Sequence, residues 1–85
     1  MERFEDILRE GKFSEAEEIL LKLDQQNANV LYCWGRLYSR KGEEAKALSF
    51  YTKALEVNPN HEEARVRLEM ANGIFSFRDP NLYNH

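Results

Sequence analysis

At 85 residues the chain is one small domain at most, and 42% hydrophobic with 32% charged residues is the balance of a folded protein, not of a disordered one. Its 12 basic and 15 acidic residues leave a net charge of −3, which argues against a nucleic-acid binder with its usual basic excess. No apolar run approaches the roughly 20 residues of a membrane span, and Met1 to Asp6 lack the apolar stretch of a secretion signal, so a cytoplasmic location is the expectation.

In chain order, residues 2–10 are predicted as a short helix with Phe4, Ile7 and Leu8 on one face, ended by Gly11-Lys12. Phe13 and Ser14 start a second helix, in which Ser14 and Glu17 have capping-box spacing and Phe13, Ala16, Ile19, Leu20 and Leu23 are the apolar positions. Asp24-Gln25-Gln26-Asn27 is the connection to a third helix, roughly 28–40. There Leu31, Trp34, Gly35 and Tyr38 fall at i, i+3, i+4 and i+7 and share one face. Gly42 suits the left-handed turn that ends this helix. Glu43 and Glu44 open a fourth helix, roughly 44–57, where the helix dipole favours acids. Its packed face is Ala47, Leu48, Tyr51, Ala54 and Leu55. Gly35, Ala47 and Ala54 are small where two helices would cross closely, and a large side chain there would cost roughly 1–3 kcal/mol. Asn58-Pro59 closes the fourth helix, because the residue before a proline is disfavoured from helical geometry. A fifth helix is predicted from Glu62 to about residue 77, with Ala64, Leu68, Ala71 and Phe75 toward the preceding pair and Gly73 weakening its end. The tail, 78–85, turns at Asp79-Pro80 and carries Leu82 and Tyr83, which is apolar for a loose end.

The run Leu31, Trp34, Gly35, Tyr38, Ala47, Tyr51, Ala54 and Pro59 resembles the tetratricopeptide repeat, a helix–turn–helix unit of about 34 residues. Leu31 and Trp34 exchange the first two roles of the family pattern, and Tyr51 stands where Phe is usual. Gly11 to Ala16 is similar to Gly42 to Ala47, since in both an alanine follows the turn glycine by five residues. The resemblance implies an all-α, right-handed superhelix of two antiparallel helix hairpins plus a capping helix. Repeat 1 would span about 1–26, repeat 2 about 28–61 and the capping helix about 62–77, forming one domain over 1–77. The first repeat is less regular, as terminal repeats often are, and no proline closes it. Gly11 and Gly42 are 31 residues apart, so the connection at 24–27 should be short. Glu69 and Asn72 at the expected Gly and Tyr positions do not support a third repeat.

The resemblance also implies a non-catalytic protein–protein interaction module, with the first helix of each pair lining a groove that holds a peptide or protein segment. Carried onto this sequence, the groove residues are Asn29, Tyr32, Arg36 and Arg40, joined by Glu5 and Arg9 from the first helix and by Glu63, Val66 and Met70 from the fifth. Asn29, Tyr32, Arg36 and Arg40 also lie at i, i+3, i+7 and i+11, a polar stripe beside the packed face. Arg36 and Arg40 could pair with a carboxylate. The competing reading makes both arginines a solvated face and puts Val66 and Met70 under the tail. Tyr32 and Arg36 do not match the Lys and Asn clamp by which one subclass of the family holds C-terminal carboxylates.

No catalytic or metal set is visible, and no cofactor is expected. Cys33 has no histidine near it in sequence and reads as a small buried or half-buried thiol, not a nucleophile. His61 and His85 are isolated. The acidic pairs at helix starts serve the dipole and solubility. Trp34 and the tyrosines read as core, not as a base-stacking platform. The alternative function is structural: the apolar tail and the open end of the first helix could pair two copies into a homodimer.

Overall fold

The computed structural model describes residues 2–72, and every described element is helical: α1 (Glu2–Arg9), α2 (Phe13–Leu21), α3 (Ala28–Arg40), α4 (Glu44–Val57) and α5 (Glu62–Asn72). The expected continuation of α5 to about residue 77, the packing of Phe75 and the tail at 78–85 lie outside the described residues. Helices α1 and α2 form one hairpin and α3 and α4 a second; α2 packs on α3 and α5 on α4.

Both hairpins turn in the same way. Gly11 and Gly42 have φ of +78° and +85°, a region open to glycine at little steric cost. After α3 the Glu43 N–H reaches the Tyr38 carbonyl at 2.9 Å and the Gly42 N–H reaches that of Ser39 at 3.1 Å. After α1 the Lys12 N–H reaches Ile7 at 3.1 Å and the Gly11 N–H reaches Leu8 at 3.0 Å. This is the Schellman arrangement, which satisfies carbonyls that the helix end would leave orphaned.

Helix α3 is the shared wall of two cores. Val30, Cys33, Trp34 and Leu37 close on Phe4, Ile7 and Leu8 of α1 and on Ala16 and Leu20 of α2. Leu31 and Ala28 close on Ala47, Tyr51 and Ala54 of α4 and on Ala64 of α5. At the α3–α4 crossing Gly35 is required: a Cβ there would stand 2.4 Å from Tyr51 Cε1. Trp34, Tyr38 and Phe50 stack beside this crossing, with centroids 5.6–6.2 Å apart, in the range where aromatic pairs attract.

Four expectations change. Helix α2 begins at Phe13, and its N-cap, Lys12, makes no side-chain cap bond, so Ser14 sits inside the first turn and no capping box with Glu17 forms. Leu23 lies beyond the end of α2 and is exposed, not packed. Ala71 is exposed, while Ala64 is fully buried and Leu68 half-buried. The α2–α3 connection, residues 22–27, is not short. The deficit between the glycines lies in α2 itself, with 9 residues against 14 in α4.

Candidate functional site

Helix α5 approaches α3 through side-chain contacts. His61 caps α5: its Nδ1 accepts the Ala64 N–H at 3.2 Å. The other ring nitrogen, Nε2, donates to Asn29 Oδ1 at 2.8 Å. The imidazole is 5% exposed and lies 5.1 Å, centroid to centroid, from the Tyr32 ring. One turn further along α5, Arg67 Nε donates to the Tyr32 hydroxyl at 3.3 Å. Tyr32 thus receives α5 at two points and rests its other side on Tyr51, at 5.7 Å.

Beside these contacts lies a depression of about 270 Å³ lined by Tyr32, Glu62, Glu63, Val66, Arg67 and Met70. Val66 is 37% and Met70 58% exposed, and both offer apolar surface to it. Of the sequence-predicted residues, then, Tyr32, Val66 and Met70 come together in one place, with Glu63 on the rim. Asn29 stands next to them through its bond to His61.

Arg36 is placed differently. It forms a two-pronged pair with Glu5 of α1, NH2 to Oε1 at 3.0 Å and NH1 to Oε2 at 3.2 Å. Its side chain is 17% exposed. Burial works against its charge, but the Tyr32 hydroxyl and the Glu5 carboxylate more than offset this and hold the guanidinium above its ordinary value. A forked pair of this kind positions α1 against α3. Arg40 lies exposed in the last turn of α3 and lines no cavity with Tyr32. Arg9 pairs with Asp6 on its own helix.

Two residues were missed by sequence reasoning. Arg67 carries its signal in spacing: Glu63, Val66, Arg67 and Met70 fall on one stripe of α5. His61 looked isolated because its partners, Asn29 and Tyr32, are a full helix pair away in sequence. Cys33 is buried, and burial above all pushes its thiol up to about 11, well away from the reactive range. Among the described residues no cluster of three or more His, Cys, Asp or Glu could hold a metal ion. Also among them, no helix is long and apolar enough to cross a membrane.

Residues 28–61 match the tetratricopeptide repeat family model. The matched segment runs from the first residue of α3 to the cap of α5, so it covers α3, the Gly42 turn, α4 and the Asn58-Pro59 junction. No solved structure matches the chain.

Proposed function

The chain carries a tetratricopeptide repeat at residues 28–61, and from that premise we propose that it is a non-catalytic interaction module. It holds a peptide or protein segment in the groove between α3 and α5. The observation that carries this reading is the depression that joins Tyr32 to Val66 and Met70. Two large apolar side chains stand exposed there on a framework otherwise fixed by hydrogen bonds from His61 and Arg67. An aromatic ring, an adaptable methionine and a guanidinium at one spot are the residue types that dominate binding energy at interfaces. The rest of the predicted set has supporting parts: Asn29 anchors the cap of α5 and Arg36 fixes α1, while Arg40 lies at the far end of α3.

The test is a selection of displayed peptides on the full chain, followed by affinity measurements on Val66→Glu and Met70→Glu. Both side chains are exposed, so circular dichroism and melting should be unchanged. Placing a charge where an apolar side chain of the ligand is buried should weaken binding by about tenfold to a hundredfold. Peptides that bind Val66→Glu and Met70→Glu as well as the wild type would sink the groove reading.

A further inference from the structure

A second cavity, of about 240 Å³, adjoins the first and shares Arg67 and Met70 with it; its other walls are Ser39, Glu44, Tyr51 and Ala71. What sets it apart is an unanswered polar group. Tyr51 is 2% exposed, and its hydroxyl has no hydrogen-bond partner among the described residues. A buried hydroxyl without a partner is disfavoured, and folded proteins rarely leave one. Burial, first of all, raises the phenol above its ordinary value, so it is a neutral donor at neutral pH. The Ser39 hydroxyl, close enough to pull the phenol the other way, makes its hydrogen bond to Glu44 Oε2 at 3.4 Å.

The other polar groups around the cavity narrow the ligand. Arg67 spends Nε on Tyr32, and its two terminal nitrogens make no hydrogen bond among the described residues. Glu44 offers carboxylate oxygens. Tyr51 lines the cavity with its hydroxyl covered, so the cavity offers a donor from Arg67, an acceptor from Glu44 and, once a wall moves aside, a second donor from Tyr51. A carboxylate would satisfy the donors but face Glu44, and an ammonium would satisfy Glu44 but face Arg67. A primary carboxamide has an oxygen with two lone pairs and a nitrogen with two hydrogens, so it answers both sides. Met70, 58% exposed and unbranched, is the wall that can move to admit it.

We propose that this cavity receives the side-chain carboxamide of an Asn or Gln in the bound segment. The carboxamide oxygen accepts from Tyr51 and Arg67 and its nitrogen donates to Glu44, while a neighbouring apolar residue of the segment fills the depression at Tyr32, Val66 and Met70. The inference rests on the groove reading and names the partner's chemistry.

The test uses the same displayed-peptide selection on the full chain. Binders should share a recurring Asn or Gln beside an apolar residue. In a selected peptide, Gln→Met and Gln→Glu should each weaken binding about tenfold, the loss of one or two hydrogen bonds. Tyr51→Phe removes only the hydroxyl; it should keep or raise the melting temperature and lose the same tenfold for the Gln peptide. The Gln→Met peptide should bind Tyr51→Phe and wild type equally, so the two changes form one double-mutant cycle. Arg67→Met should also weaken the Gln peptide, but it stands outside the cycle because Arg67 lines the first depression and holds Tyr32 as well. Binders that are sensitive to Val66→Glu yet lack Asn or Gln, or that ignore Tyr51→Phe, overturn the carboxamide and leave the groove standing. Binders insensitive to Val66→Glu overturn both.

Discussion

The two junctions that lead into α3 and α5 have one backbone plan and different side chains. Before α3, Asp24 Oδ1 accepts the Gln26 N–H at 2.9 Å and the Asn27 N–H returns to the Asp24 carbonyl at 3.1 Å. Before α5, Asn58 Oδ1 accepts the Asn60 N–H at 3.0 Å and the His61 N–H returns to the Asn58 carbonyl at 3.0 Å. Each turn ends on a capping side chain. Asn27 accepts from Asn29 and Val30 at 2.8 and 3.3 Å, and His61 accepts from Ala64 at 3.2 Å. Asp24 to Asn58 and Asn27 to His61 are each one family period apart, about 34 residues. What differs is the residue between turn and cap. Pro59 stiffens the second junction by fixing φ. In its place the first has Gln25, whose side chain donates to the Leu20 and Leu23 carbonyls at 2.7 and 2.8 Å and accepts the Trp34 Nε1–H at 2.8 Å. One junction is held by backbone restriction, the other by a hook into the next repeat.

The largest expected effect lies at the crossing that both junctions serve. Gly35→Val would drive its side chain into the Tyr51 ring, where even a Cβ meets carbon at 2.4 Å. Overpacking and a displaced buried ring should cost more than about 3 kcal/mol, enough to unfold much of so small a domain at room temperature. Circular dichroism would show it. A cooperative wild-type-like melt would mean that α3 and α4 do not cross in this way.

The junctions themselves should differ next. Gln25→Ala leaves the Trp34 N–H without its partner and frees two carbonyls, for a cost of about 1–3 kcal/mol. Pro59→Ala only loosens the unfolded chain's constraint and should cost about 0.4–1 kcal/mol. In a domain of this size 1 kcal/mol is roughly 4–8 °C in melting temperature, so the two are separable by thermal denaturation. Equal losses would erase the distinction between hook and restriction. His61→Ala should cost about 1–2 kcal/mol through the lost cap, and His61→Asn should recover part of it because Asn caps well. The recovered part stops short of wild type, since the ring's contact with Tyr32 and its bond to Asn29 are gone.

These examples mark what the sequence makes legible. Gly35, Ala47, Ala54 and the left-handed Gly42 follow from one rule each: close approach demands a small residue, and positive φ favours glycine. The bounds of α3 and α4 follow from periodicity and coincide with expectation, 28–40 and 44–57. Side-chain hydrogen bonds are another matter. Nothing in the order Asp24-Gln25-Gln26-Asn27 says that Gln25 will reach Trp34, and nothing says that Arg36 will find Glu5 across 31 positions of chain. The Ser14–Glu17 capping box fails for a related reason. The Gly11 turn delivers Phe13 into helical geometry one residue early, so the serine no longer stands at the cap. Tyr32, Val66 and Met70, chosen by carrying the family's geometry onto the helix faces, line one depression. Arg36 could not be told from a free arginine until Glu5 was seen beside it.

The smallest effect is a rate. Cys33 faces the core that α1 and α2 close. With its thiol held at about 11 against an ordinary 9.0, the folded chain at pH 8 carries about a hundredfold less thiolate than the unfolded chain. The sign follows from burial favouring the neutral thiol. The contribution to stability is intact below pH 9 and is lost as pH rises through 11. Alkylation by iodoacetamide at pH 8 therefore reports loss of the cover that α1 and α2 give Cys33. Helix α1 has 8 residues and is clasped to α3 by Glu5 and Arg36. Glu5→Gln should therefore speed alkylation severalfold while shifting the global melt by about 1 kcal/mol or less, as expected of a partly exposed pair. Pro59→Ala should leave the alkylation rate alone. If instead both variants raise it in proportion to their loss of global stability, the two halves open together and the junctions differ in chemistry without differing in independence.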